Sequence, residues 1–151
     1  MCRDLRDFVI ESNAIEGITR SPGPQEIGAY RDFLALVEIG VEDLEIFVRL
    51  VQPGAELRVR EGMNVRVGNH FPPRGGPRAL TQLESLLERV NKGADPYETH
   101  KAYETLHPFT DGNGRSGRAL FLWQLSQWPD NPMTYRSFLH HWYYLSLENA
   151  R

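Results

Sequence analysis

Between His107 and Arg118 the chain reads HPFTDGNGRSGR, which places a base, a carboxylate, several glycines and two arginines within one short stretch. These residue types suit the handling of a polyphosphate. Gly112 and Gly114 let a backbone come close to a ligand and adopt conformations closed to other residues. A glycine loop that opens a helix gathers free N–H groups at the positive end of the helix dipole, a natural seat for an anion. Arg115 and Arg118 then fall in the first turn, where a cation is misplaced by ~0.3–1 kcal/mol. A polyanion held by their guanidinium forks would remove that misfit. Asp111 offers one hard oxygen ligand, and Mg²⁺ carried on nucleotide phosphates takes only one or two protein carboxylates. His107 stands at the rim as a base able to accept a proton near neutral pH.

The elements around this stretch decide what kind of phosphate loop it is. Gly112, Gly114 and Gly117 spell G-x-G-x-x-G, but a dinucleotide-binding turn must follow a strand and precede an acid on a second strand. Here Asp95-Pro96 caps and opens a helix, with Glu98 placed to complete a capping box. That helix runs through Tyr103 to about Leu106 and stops at His107-Pro108. Beyond the glycines, RSGRALFLWQLSQW is apolar on nearly every side, which predicts a buried central helix. The loop therefore joins two helices, and the dinucleotide reading fails.

Upstream, Leu5, Phe8, Val9, Ser12 and Ile15 recur at helical spacing, with Gly17 placed as a left-handed cap. Ile27, Tyr30, Leu34 and Val37 predict a second helix ending near Gly40; Leu44, Phe47, Val48 and Val51 a third, stopped by Pro53-Gly54. ELRVREGMNVRV then alternates apolar and polar residues about Glu61-Gly62, predicting a short hairpin followed by the loop GNHFPPRGGP. Leu80, Leu83, Leu87 and Val90 resume the helical period. His100 suits packing or hydrogen bonding, while His140 and His141 receive no role. Trp142, Tyr143 and Tyr144 suit either core or an adenine pocket.

At 151 residues the chain fits one domain. Its net charge of −3, with no dominant basic stripe, gives no reason to expect a nucleic-acid partner. Cys2 is the sole cysteine, which excludes an internal disulfide and a cysteine-based zinc site. MCRDLRDFVIES lacks the apolar core of a signal peptide, and no apolar run approaches the ~20 residues that span a bilayer. The expected setting is the cytoplasm, with no membrane partner.

HPFTDGNGRSGR resembles the Fic-domain signature, H-P-F-x-[DE]-G-N-G-R-x-x-R, at every specified position, and the likeness extends over most of the chain. The resemblance implies one Fic domain over 1–151: an all-α core with a small β-hairpin flap over 55–76 and a catalytic helix-loop-helix over 95–126. It implies transfer of AMP from ATP to a Ser, Thr or Tyr hydroxyl of a target protein. On that pattern His107 is the general base, Asp111 holds Mg²⁺, and Asn113 bonds the α-phosphate. Gly112 and Gly114 form the anion hole, Arg115 and Arg118 take the outer phosphates, and Phe109 anchors the loop in the core. The flap would pair with the target's main chain. The phosphorylating branch carries A-N-K where this chain has Gly112-Asn113-Gly114, which argues against kinase chemistry. Other nucleotide-type donors, removal of AMP, a catalytically inactive nucleotide-binding module and homodimer formation all stay open.

SNAIEG, Ser12 to Gly17, resembles the family's inhibitory motif, [ST]-x-x-x-E-[GN]. An inhibitory helix over 1–17 would then end in Glu16, an acid at the unfavourable negative end of a helix dipole. That misfit and the opposite one at Arg118 would resolve each other in an ion pair. The resemblance further implies that Ser12 braces the glutamate and that Glu16 blocks productive ATP binding.

Overall fold

The computed structural model describes residues 2–127, and their regular structure is entirely helical. Six helices follow one another: α1 (Cys2–Ile15), α2 (Pro24–Leu34), α3 (Val41–Val51), α4 (Pro77–Asn91), α5 (Pro96–Leu106) and α6 (Asn113–Ser126). The expected aromatic run Trp142–Tyr144 and His140 and His141 lie outside the described residues.

α6 is the axis of the domain. Asn113 and every residue from Arg115 to Leu125 are buried, as an apolar circumference requires. α1, α2, α3 and α5 all pack against it. Phe8, Tyr30 and Phe47 join α1, α2 and α3 through edge-to-face ring contacts, with centroids 6.0 and 4.8 Å apart. α5 approaches α6 closely because Gly117 faces Tyr103, His100 and Glu104, where any side chain would collide. The Tyr103 hydroxyl meets Ser116 Oγ at 2.7 Å within the same contact.

α1 ends in a Schellman motif. Gly17 takes φ 76°; its N–H bonds the Ala14 carbonyl at 3.0 Å and the Ile18 N–H bonds the Asn13 carbonyl at 3.0 Å. Glu16 is therefore the C-cap residue, and its side chain leaves the helix end outward. Asn13 Nδ2 donates to buried Glu26 on α2 at 2.8 Å, and Arg20 pairs with the same carboxylate, which fixes this end of α1. At the start of α5, Asp95 caps the helix by accepting from the N–H groups of Tyr97 and Glu98.

Two expectations change. α2 stops at Leu34, short of Val37, which is 91% exposed. The chain turns early because tertiary bonds claim the connection: Trp123 Nε1 donates to the Leu36 carbonyl at 2.8 Å, and Asn91 bonds both the N–H and carbonyl of Ile39. The hairpin over 55–76 also does not form among the described residues. Its turn exists, with Gly62 at φ 89° and the Met63 N–H on the Arg60 carbonyl. The first arm, however, pairs elsewhere. Arg58 N–H donates to Pro108 at 2.9 Å and Thr110 N–H donates to Glu56 at 2.8 Å, around an isolated Leu57–Phe109 bridge. The Arg58 carbonyl then accepts from Gly76 at 2.8 Å, so the first arm joins the loop before α6 and the N-cap of α4 and not the second arm.

Candidate nucleotide site

The loop after α5 begins with strain. His107, the C-cap of α5, has φ 51°, the one non-glycine positive φ among the described residues. Its carbonyl accepts from Arg58 Nε at 2.7 Å, and the Leu106 carbonyl accepts from Arg58 Nη2 at 2.8 Å. Phe109, 1% exposed, is seated in the core as expected and anchors the loop. Asn113 then closes the turn: its Oδ1 accepts the Phe109 N–H at 2.9 Å and its Nδ2 donates to the Phe109 carbonyl at 2.8 Å. Both faces of the Asn113 amide are thus committed to the loop's own backbone.

Gly112 is the N-cap of α6 at φ 77°, packed against Val48 of α3 and its C-cap Gln52. The N–H groups of Asn113, Gly114 and Arg115 occupy the first turn, where a helix has no internal acceptors. Asp111 is exposed beside them; its Oδ1 accepts the Gly112 N–H at 2.8 Å, and Oδ2 has no protein partner among the described residues.

The two arginines diverge. Arg115 points away from the loop mouth and donates through Nη1 to the Val51 carbonyl at 2.9 Å and through Nη2 to Gln52 Oε1. Its charge satisfies the negative end of α3, a different answer to its misplacement from the outer phosphates implied by resemblance. Arg118 turns toward α1. Its Nη2 meets Glu16 Oε1 at 2.7 Å, with Arg118 4% and Glu16 37% exposed at the side chain. Its Nε donates to Ser12 Oγ at 2.8 Å and Nη2 to the Ser12 carbonyl at 3.1 Å. Ser12 therefore braces the arginine, whereas the motif implied that it braces the glutamate. The reason is reach: Ser12 lies one turn back on α1, level with the guanidinium, while Glu16 extends beyond the helix end.

Glu16 lies directly over Gly114. A side chain on Gly114 would collide with Glu16 Oε1 and stand 3.2 Å from Arg118 Nη1. A carboxylate thus fills the space above the α6 N-terminus that the glycines keep open.

Two titratable groups at the site depart from ordinary behaviour. Burial holds the half-buried His107 imidazole below its usual 6.5. The Glu104 carbonyl opposes this by favouring the charged ring, Arg58 and His70 deepen it, and Glu16 weakly opposes it. Glu104 is pushed up to about 7, chiefly by burial; Arg118 opposes the rise and Glu16 adds to it. Its Oε1 is sealed without a hydrogen-bond partner among the described residues. Sequence reasoning named neither Glu104 nor Arg58. Glu104 stands three residues before His107 on α5, a spacing that could have drawn notice.

The site and fold define a helical Fic domain. The Fic/DOC family pattern matches residues 45–125, more than half of the chain, and the chain belongs to that family. No curated protein matches it. The matched span covers α3 from Glu45 to the end of the α6 core, and so includes every residue of the glycine loop but not Glu16. Among the described residues no helix is long and apolar enough to cross a membrane.

Proposed function

We propose that this protein transfers AMP from Mg-ATP to a hydroxyl of a target protein, and that Glu16 holds it inactive. The observation that carries this reading is the Glu16 carboxylate over Gly114, bonded to Arg118 at 2.7 Å. A carboxylate seated at a helix N-terminus beside an arginine occupies a phosphate's place. ATP can be gripped there only after Glu16 leaves, and Ser12 then keeps Arg118 aimed at the vacated seat.

In the transfer, the target hydroxyl oxygen bonds to the α-phosphorus while the bond from that phosphorus to the β-phosphate oxygen breaks. Pyrophosphate departs and His107 takes the hydroxyl proton. Its lowered affinity for protons keeps the imidazole in the basic form at neutral pH. The N–H groups of the α6 first turn face the developing phosphate charge, and Arg118 holds the outer phosphates. Asp111, exposed and with one oxygen unpartnered among the described residues, suits the magnesium ion that ATP carries, which would neutralise phosphate charge. Asn113 and Arg115 contribute by holding the loop against α3 and its own turn. The target would dock on the 55–76 segment that already pairs with residues 108–110.

Incubation with ATP labelled on the α-phosphate, with and without cell lysate, tests the proposal in wild type and Glu16→Gly. Label on protein that increases in Glu16→Gly supports it; nucleotide binding with no label in either protein defeats it. One observation favours a second reading, hydrolytic removal of AMP: Glu16 is 37% exposed and could orient water once nucleotide is bound. Loss of label from premodified protein, abolished by Glu16→Gly, would select that reading.

A further inference from the structure

Arg58 is 1% exposed, and its charge meets no carboxylate among the described residues. Every nitrogen of its guanidinium is spent on main-chain carbonyls. Nε and Nη2 hold His107 and Leu106, and Nη1 holds Met63 at 3.1 Å and Pro73 at 2.8 Å. Its own backbone donates to Pro108 at 2.9 Å and accepts from Gly76 at 2.8 Å. A buried cation is tolerated here because the last carbonyls of α5 are the negative end of a helix dipole.

This arrangement falls on the residue that most needs support. A left-handed conformation is disfavoured for any residue with a side chain, and it persists only where surroundings over-determine it. At His107 that conformation sets the direction in which the imidazole leaves the loop. Its N–H is fixed by the Tyr103 carbonyl at 2.9 Å, and its carbonyl is fixed by Arg58. Through Met63 and Pro73 the same guanidinium also grips both ends of the segment between residues 63 and 73.

We infer that Arg58 is the positioning residue for His107, locking the left-handed turn that aims the base and linking it to the segment on which a target would dock. The inference rests on the reading of His107 as the general base. The role belongs to geometry first, because four bonds from one planar fork define an orientation that a flexible ammonium cannot reproduce. Electrostatics adds to it: Arg58 and His70 from the 55–76 segment lower the imidazole's proton affinity, while Glu16 from α1 and the Glu104 carbonyl of α5 raise it.

The test compares Arg58→Lys and Arg58→Met by two readouts. In the Glu16→Gly background, kcat for α-phosphate label transfer should fall at least about tenfold in both variants, while Mg-ATP affinity stays within about threefold, because a displaced base slows chemistry without emptying the phosphate seat. In otherwise wild-type protein, NMR titration of the His107 ring should show an upward shift in Arg58→Met, where the neighbouring charge is gone, and little shift in Arg58→Lys. If Arg58→Met does not fold, Arg58→Lys decides alone: full kcat overturns the inference, and lost kcat with intact ATP affinity supports it. A parallel loss of kcat and ATP affinity in a folded variant marks a general structural role and also overturns it. If the Glu16→Gly parent transfers no label, the proposed function has failed. The NMR titration then decides on Arg58 by itself, an unmoved His107 in Arg58→Met being the refuting result.

Discussion

Replacing Glu16 with glycine removes one charge-assisted hydrogen bond, and on the proposed function its size sets how strongly Glu16 would hold the wild-type protein back. A hydrogen bond to a charged group contributes ~1.5–3 kcal/mol when sheltered. Arg118 is sheltered at 4% exposed, but Glu16 is 37% exposed, so water screens part of the attraction. A value of ~1–2 kcal/mol is therefore the reasonable range. Dipole effects nearly cancel in this sum. Glu16 sits unfavourably at the C-cap of α1 and favourably at the N-terminus of α6, each worth ~0.3–1 kcal/mol.

That range corresponds to roughly a 5–30-fold change in an equilibrium constant. Only ~3–20% of wild-type molecules would then have an open seat, and apparent ATP affinity would be reduced by that fraction. Glu16→Gly should raise productive Mg-ATP binding, measured by calorimetry, by roughly 5–30-fold. Initial rates of α-phosphate label transfer at low ATP should rise by the same factor. Arg118 stays in place because both Ser12 contacts survive the change. Adding Arg118→Ala should abolish the gain, since seat and block share that guanidinium. Equal ATP affinity and equal transfer in wild type and Glu16→Gly would refute the reasoning. A gain in kcat at unchanged affinity would place the control elsewhere than the phosphate seat.

Other outcomes follow from single contacts. His107→Ala should abolish transfer, while calorimetry shows Mg-ATP binding intact, because the base acts only on the hydroxyl proton. In Glu16→Gly the acid limb of the kcat–pH profile should lie below pH 6.5, since burial lowers the imidazole's affinity for protons and loss of the Glu16 charge lowers it further. Asn113→Ala strips partners from a buried N–H and carbonyl of Phe109, so it should cost ~2–4 kcal/mol and lower Tm by about 10 °C in thermal unfolding. Glu104, raised from 4.5 to about 7, supports stability fully below pH 4.5 and withdraws that support as pH rises to about 7. With its side chain about a third exposed, Glu104→Gln should reduce the loss of stability over that window by ~1 kcal/mol, read as a flatter fall in Tm with pH.

The helices were legible because their signals are local. Asp95-Pro96 opening α5, Gly17 closing α1 and the apolar circumference of α6 each act within a turn or two of the residue concerned. Failures came where a distant group outbid the local pattern. Val37 continues the period of α2, but Trp123 and Asn91 pull the chain into a connection instead. ELRVREGMNVRV alternates as a hairpin should, yet its first arm pairs some 50 residues downstream with the loop before α6. Alternation says that a segment is extended and half-buried, and it is silent on which backbone the segment meets.

The glycine loop was legible for a different reason: its charges are wrong for their helix. Two arginines at the positive end of α6 and a glutamate at the negative end of α1 each oppose a dipole, and each misfit demands a partner from elsewhere. Locally that argument cannot choose the partner, and the structure resolves the two arginines differently. Arg115 goes to the carbonyl end of α3, whereas Arg118 goes to Glu16 and Ser12. Arg115 keeps a main-chain carbonyl beside the half-buried Gln52 side chain, whereas the acidic partner of Arg118 is an exposed side chain. A carbonyl at a helix end cannot leave without unravelling α3, but a glutamate on a capped helix terminus can swing aside. The misfit at Arg115 is thus settled permanently by the fold. The one at Arg118 is settled by a contact that a phosphate could replace, so on the proposed function a nucleotide would compete with Glu16 there and not with Val51.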